Sequence, residues 1–268
     1  MCRHLAYLGP PVSLAELVLD PPHSLLRQSY GPNDMRGGGT VNADGFGLGW
    51  YPPGHPDGRV RRYRRSVPMW TDASLPDVAE GVRSGAVLAS VRNATAGMPV
   101  GEGACAPFTD GRWLFSHNGR VEAWPGSLAV LASDLPVTDL MTLDAPTDAA
   151  LLWALVRHRL RSGASPLDAM ASVVTDVASA APASRLNLLL TDGELVVGTT
   201  WTHALWTRQT PGAVAVASEP WDPADPSWQE VPDRQVVLAT ADAVSMHPLD
   251  AVTAQVLDAV STHPLKEA

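Results

Sequence analysis

Residues 147–180, TDAALLWALVRHRLRSGASPLDAMASVVTDVASA, hold two helices with strand patterns on either side. Leu151, Leu152, Leu155 and Val156 fall at helical spacing over 148–161, with Thr147 or Asp148 as N-cap. The spacing predicts a second helix over 166–179, with Pro166 in its first turn. Upstream, CRHLAYL (2–8), GFGLGWY (45–51), RVRRYRR (59–65), AVLASVR (86–92) and Trp113–Ser116 read as strands. Downstream come strands at 185–191, 194–201, 204–208, 213–218 and 234–240. Strands, a helical pair, then strands again predict an α+β chain: two antiparallel sheets with helices packed outside, as one domain over 1–268. Shorter helices are expected near 14–19, where Ser13 and Glu16 form a capping box, and at 75–83. The stretch 219–233, rich in proline and acid, reads as a surface loop.

The bulk properties narrow the function. The chain has 268 residues, 45% hydrophobic and 18% charged, which is ample core material. Its net charge of −9 and its lack of a basic run exclude nucleic acid and anionic membranes as expected partners. No apolar run reaches membrane-spanning length, and Pro10-Pro11 ends the short N-terminal one, so no signal peptide is read. Two cysteines, Cys2 and Cys105, make neither a disulfide framework nor a metal motif. A reducing, cytoplasmic setting is expected, with no metal and no organic cofactor. Self-association as a homo-oligomer is left open.

Cys2 directly follows the initiator methionine. Removal of Met1 would give one residue both a thiol and a free α-amino group. Such an amine titrates at about 7.7–8.0, so it can serve as the base for its own thiol. His4 would share a strand face with Cys2, in a proton-transfer or a core hydrogen-bonding role. Other positions each carry two readings. Asn118-Gly119 is a turn dipeptide or a pair of oxyanion donors. Arg92 ends an apolar strand, as half of a salt bridge or as the bidentate ligand of a substrate carboxylate, with Thr95 beside it. Asp148 caps a helix or receives an ammonium group. Gly45, Gly47 and Gly49 leave one strand face bare for another backbone or a substrate. The run Gly37-Gly38-Gly39 is flexible or lets a ligand approach, and Ser218-Glu219-Pro220 is a surface turn or an edge of the site. The arginines of 59–65 read as a solvated face, and Cys105 as a bystander.

Taken together, Met1-Cys2-Arg3-His4, Asn42 to Gly47, Arg92 to Thr95, His117-Asn118-Gly119 and Thr147-Asp148 resemble, in order, the motifs of class-II glutamine amidotransferase domains. These domains belong to the N-terminal-nucleophile hydrolases. Within that family the opening CRHLAYLG, RNAT at 92–95 and ASEPWD at 217–222 are most similar to the stand-alone amidohydrolases of ergothioneine biosynthesis. The resemblance implies a four-layer αββα sandwich. It implies Cys2 as nucleophile, Asn118 and Gly119 as the oxyanion pair, Arg92 with Thr95 on a glutamyl α-carboxylate, and Asp148 on the α-ammonium. The implied reaction is hydrolysis of the γ-glutamyl amide of γ-glutamyl-hercynylcysteine sulfoxide, a small-molecule substrate. A glutaminase subunit feeding ammonia to a separate synthetase, and a non-catalytic γ-glutamyl-binding module, are the alternatives. A trimethylammonium tail suits an aromatic cage, and nine tryptophans against three phenylalanines put Trp50, Trp70 and Trp113 forward for it.

Overall fold

The computed structural model describes residues 2–36, 38, 41–54 and 59–252. Met1, Gly37, Gly39 and the 55–58 part of the expected hairpin turn lie outside the described residues. The strands are β1 (Arg3–Ser13), β2 (Phe46–Trp50), β3 (Arg61–Arg65), β4 (Arg83–Val91), β5 (Phe108–Asp110), β6 (Trp113–Arg120) and β7 (Arg185–Thr191). They continue with β8 (Val196–Thr199), β9 (Trp206–Thr210), β10 (Ala213–Ala217), β11 (Trp228–Glu230), β12 (Gln235–Ala239) and β13 (Val244–Pro248). The α-helices are α1 (Leu14–Val18), α2 (Leu25–Gln28), α3 (Leu75–Gly81), α4 (Ala129–Ser133), α5 (Val137–Met141), α6 (Asp148–Arg161) and α7 (Pro166–Ala180).

Two antiparallel sheets result. Their orders are β11-β9-β10-β1-β4-β2-β3 and β13-β12-β8-β7-β6-β5. Side-chain alternation decides what each face meets. On β1, Ala6 and Leu8 join Leu88, Leu114, Leu189 and Val216 between the sheets. Leu5 and Tyr7 point outward, onto a cluster that includes Leu14, Leu17 and Val18 of α1 and Leu75 and Ala79 of α3. On the far side, Phe115, Leu188 and Leu190 pack beneath α6 and α7. Trp153 of α6 stacks on Phe115 with ring centroids 5.4 Å apart. Burying each such large apolar side chain contributes about 1.5–3 kcal/mol, which is what makes the layers cohere. The outcome is the expected four-layer αββα sandwich.

The bare face of β2 accommodates backbone. A Cβ on Gly47 would lie 2.1 Å from the Ala106 carbonyl oxygen, and one on Gly49 would lie 2.9 Å from Leu114. The segment around Cys105 to Pro107 therefore lies against this strand. Arg64 donates to the Cys105 carbonyl at 3.2 Å and Arg62 to that of Pro107 at 3.0 Å. This corrects the solvated-arginine reading of β3: Arg61 and Arg65 are exposed, but Arg62 and Arg64 tie down the segment covering β2.

The surface-loop reading of 219–233 is also corrected. Glu219, Trp228 and Val231 are buried, and β11 lies inside the stretch. Acidic residues read as solvated unless their partner is known, and the partner of Glu219 is Arg3, far away in sequence. The short elements β5, β11, β13, α2, α4 and α5 were not expected. Three to five residues are too few for a hydrophobic period to show.

Candidate active site

Cys2 stands immediately before β1, at the centre of the seven-stranded sheet. The adjoining residue holds it there. Arg3 is buried and extends its Nε to Glu219 Oε1 at 2.7 Å, its Nη1 to the Cys2 carbonyl at 3.0 Å, and its Nη2 to the Asp34 carbonyl. Glu219 also accepts from His23 Nε2 at 2.6 Å and from the backbone N–H groups of Asn33 and Asp34 at 2.9 and 3.2 Å. Burial pushes the Glu219 carboxyl up, but the His23 hydrogen bond, the Arg3 charge and the two N–H donors outweigh it. The acid ends below its ordinary range and ionised. Ser218-Glu219 thus braces the start of β1, next to Cys2, from behind.

The Cys2 thiol lies 3.7 Å from the Asn93 carbonyl, in a cleft of about 490 Å³ including its open mouth. Arg92, Thr95, Gly119 and Asp148 line the same cleft, with His117 and Ser90. Five of the six residues singled out from the sequence therefore converge from four places: the start of β1, the end of β4, the end of β6 and the first turn of α6.

Arg92 donates through Nη2 to the Pro99 carbonyl at 3.0 Å, while its buried Nη1 has no partner. Among the described residues it has no acidic partner, so the salt-bridge reading finds no support there. Thr95 begins a turn in which Met98 N–H donates to its carbonyl at 2.9 Å, with Gly97 at φ +88°. The N-cap of α6 is Thr147, whose hydroxyl accepts from Ala150 N–H at 3.2 Å. Asp148 is freed from capping, buried at the positive end of the helix. Its two oxygens accept from Val121 and Ala149 N–H at 2.9 and 2.8 Å.

Asn118 is placed differently. Alternation along β6 sends His117 and Gly119 to one face and Asn118 to the other. Asn118 is buried, donates to Ser218 Oγ at 3.2 Å, and lines a small adjoining cavity with Arg3, Asp34, His203, Ala204 and Ser218. Its Oδ1 is buried without a partner. A primary amide has two N–H donors, and the hydrogen bond to Ser218 uses one.

Two histidines near Cys2 are held neutral. His117 donates from Nε2 to the Arg185 carbonyl at 2.9 Å, which fixes its tautomer. Burial lowers its pKa against the opposing pull of Asp148. His4 bonds Ser116 Oγ at 2.8 Å and lies between the sheets, away from the cleft lining. Burial drives its pKa well down, which fits the core role among its two readings. Cys105 packs against Gly45, its thiol 3.4 Å from the Arg65 carbonyl, and burial pushes its pKa up to about 11. Such a thiol is inert, as a bystander should be.

None of Trp50, Trp70 and Trp113 lines the cleft. Trp50 and Trp113 pack against the outer clusters, and Trp70 is exposed beside Tyr30. Trp124, not singled out from the sequence, lines a neighbouring groove. Among the described residues no group of three or more His, Cys, Asp or Glu side chains could hold a metal ion, and no helix is long and apolar enough to cross a membrane.

Known proteins are similar to this chain. The class-II glutamine amidotransferase family profile matches residues 17–245. The γ-glutamyl-hercynylcysteine sulfoxide hydrolase of Mycolicibacterium smegmatis is 42% identical over 93% of this chain and the whole of that protein. Its counterpart from Mycobacterium tuberculosis is 40% identical over 93% of this chain and 97% of its own length. A glutamine aminotransferase class-II domain protein from Silicibacter pomeroyi superposes with a TM-score of 0.65 over 92% of this chain and 99% of its own. At 23% identity that likeness speaks for the fold alone. With the profile spanning most of its length and relatives at this identity over nearly all of it, the chain belongs to the class-II glutamine amidotransferase family.

Proposed function

We propose that this protein hydrolyses the γ-glutamyl amide of γ-glutamyl-hercynylcysteine sulfoxide, releasing glutamate and hercynylcysteine sulfoxide. The carrying observation is the convergence of Cys2, Arg92, Thr95, Gly119 and Asp148 on one cleft. The unpartnered Nη1 of Arg92 and the carboxylate of Asp148 present opposite charges, as an α-amino-acid head group requires. The names of the relatives supply the amine half of the substrate.

The reaction is acyl transfer in two steps. With Met1 removed, the neutral α-amino group of Cys2 takes the thiol proton. The sulfur attacks the γ-carbonyl carbon and a C–S bond forms. Negative charge gathers on the carbonyl oxygen, where the Gly119 N–H is one donor and Asn118, which faces the adjoining cavity, adds its second N–H by turning its amide from Ser218 toward the cleft. The α-ammonium then protonates the leaving nitrogen as the C–N bond breaks. Water, deprotonated by the same amine, attacks the thioester and frees glutamate. The whole chain acts as one domain in this scheme, in a reducing cytoplasm.

The test is turnover of the intact chain on the γ-glutamyl conjugate and on glutamine, with the N-terminus read by mass spectrometry. The conjugate is cleaved, Met1 is absent, and Cys2→Ala is inactive. Asn118→Ala lowers kcat roughly 100- to 1000-fold, the cost of one oxyanion donor. Rapid ammonia release from glutamine with the conjugate left intact would establish the glutaminase reading instead. Full activity of Cys2→Ala would remove the nucleophile, and binding without turnover of any γ-glutamyl amide would leave a binding module.

A further inference from the structure

The space between the sheets changes character toward Cys2. Side chains that point inward from β1 run Leu8, Ala6, His4, and those from β6 run Leu114, Ser116, Asn118. From β10 and the residue after it they run Val214, Val216, Ser218, and from β7 Leu189 then Asn187. Each row turns polar at the nucleophile's end. Buried polar groups are nearly always paired, and most of these are. His4 bonds Ser116 Oγ, and Ser218 Oγ accepts from the His4 N–H at 3.0 Å as well as from Asn118. Asn187 stands directly opposite Asn118 in the register of β6 and β7. Its amide donates to the His203 and Ala204 carbonyls at 2.9 and 3.3 Å. Its Oδ1 accepts from the Trp201 and His203 N–H groups at 2.9 and 3.2 Å. The main chain of His203 is thereby fixed on both sides.

The ring of His203 is not. The residue is 3% exposed, yet neither Nδ1 nor Nε2 has a partner. Oδ1 of Asn118 and Nε2 of His4 lack one too. His203 and Asn118 line the same cavity, about 150 Å³ with its mouth, together with Ser218 and Arg3. Burial first, then the Arg185 and Arg3 charges, push the His203 pKa down to about 3. The ring is therefore neutral, with one nitrogen that donates and one that accepts. A carboxamide oxygen only accepts, so a His203 N–H and Oδ1 of Asn118 are complementary.

We propose that His203 is a positioning residue for the oxyanion donor: its ring N–H holds Oδ1 of Asn118 when the amide leaves Ser218 and turns an N–H toward the cleft. The two ends of a carboxamide are nearly equal in shape. Fixing the oxygen on His203 decides that the nitrogen meets the developing negative charge, where an oxygen would repel it. Donation to Oδ1 also polarises the amide and strengthens its N–H as a donor. Turning forfeits the bond to Ser218, and the bond from His203 offsets that loss. The inference rests on the reading of Asn118 as an oxyanion donor and asks nothing of the amine half of the substrate.

The test compares Asn118→Ala, His203→Leu, His203→Gln and the double variant Asn118→Ala with His203→Leu. The substrate is whichever amide the wild-type chain cleaves, the conjugate or glutamine. His203→Leu, similar in volume, lowers kcat roughly tenfold at unchanged KM, the net worth of one hydrogen bond made in the transition state. His203→Gln keeps an N–H and recovers most of that loss. Adding His203→Leu to Asn118→Ala lowers kcat no further, because the group to be positioned is gone. The urea midpoint of His203→Leu holds, since the ring nitrogens have no partner to lose at rest. Wild-type kcat in His203→Leu overturns the inference. So does a loss that multiplies with that of Asn118→Ala, that glutamine at 203 leaves in place, or that a lower urea midpoint accompanies, each the mark of a structural role. Those results leave the oxyanion reading standing. Wild-type kcat in Asn118→Ala, or a wild-type chain that turns over neither amide, would overturn that reading and this inference with it.

Discussion

At the scale of single residues, the support of Cys2 is a buried ion pair. Removing one member of such a pair leaves an uncompensated buried charge, which costs about 3–5 kcal/mol. Glu219→Ala strands Arg3 in this way and is expected to lower stability by about that much in urea unfolding. A loss below about 1 kcal/mol would mean that the hydrogen bonds from Arg3 to the Cys2 and Asp34 carbonyls carry the load without the carboxylate. Neither partner looks special in sequence. Arg3 reads as part of an N-terminal motif and Glu219 as part of an acidic loop. Their meeting across more than two hundred residues is a property of the β1–β10 pairing alone.

At the scale of elements, alternation and close approach were the legible signals. The glycines of β2 announced a bare face, and the backbone at Ala106 fills it. Gly47→Ala would force a Cβ to within 2.1 Å of that carbonyl oxygen, and backbone cannot swing away. The expected cost is about 1–3 kcal/mol of overpacking, read as a lower urea midpoint. Gly81→Ala, where nothing lies within 4 Å, is the control and is expected to hold or raise the midpoint. Gly47→Ala matching that control would show that the covering segment lifts off freely. The long helices and the strands flanking them were readable because their hydrophobic periods run for several turns or residue pairs. Five of the six candidate residues line one cleft, and what joined them in the sequence was the order of the motifs and its resemblance to a known family, each residue alone having a plainer reading. The facing of Asn118 was not readable, since the strand was expected to stop at Ser116 whereas β6 runs on to Arg120 and alternation then turns Asn118 away from Gly119. Trp124, which lines the neighbouring groove, was not singled out because an isolated tryptophan after a strand carries no periodic signal.

At the scale of the whole molecule, burial sets the charge state of the histidines around Cys2, while partners that outweigh burial set that of Glu219. His4, His117 and His203 all have pKa values lowered in the folded chain, burial being the first cause in each. The unfolded chain binds their protons more readily, with pKa near 6.5. Their contribution to stability is therefore complete above that value and is lost as pH falls towards the folded values. Glu219, also lowered, adds to the loss below the ordinary carboxylate range, about pH 4.3. Tm is expected to hold above pH 7 and to decline from about pH 6 downward. His4→Gln should flatten the upper part of that decline. A Tm constant from pH 7 to pH 5 would show these histidines to be solvated.

The sequence by itself determined the layers and the residue types of the site, because hydrophobic period and chemical need are written locally. Only the tertiary structure decided the partnership of Arg3 with Glu219, the turning of Asn118 to the far face of β6, and the setting of His203 beside Asn118 in one cavity. Each depends on strands pairing across long stretches of chain, and register between distant strands is set by the packing of the whole core rather than by any segment within it.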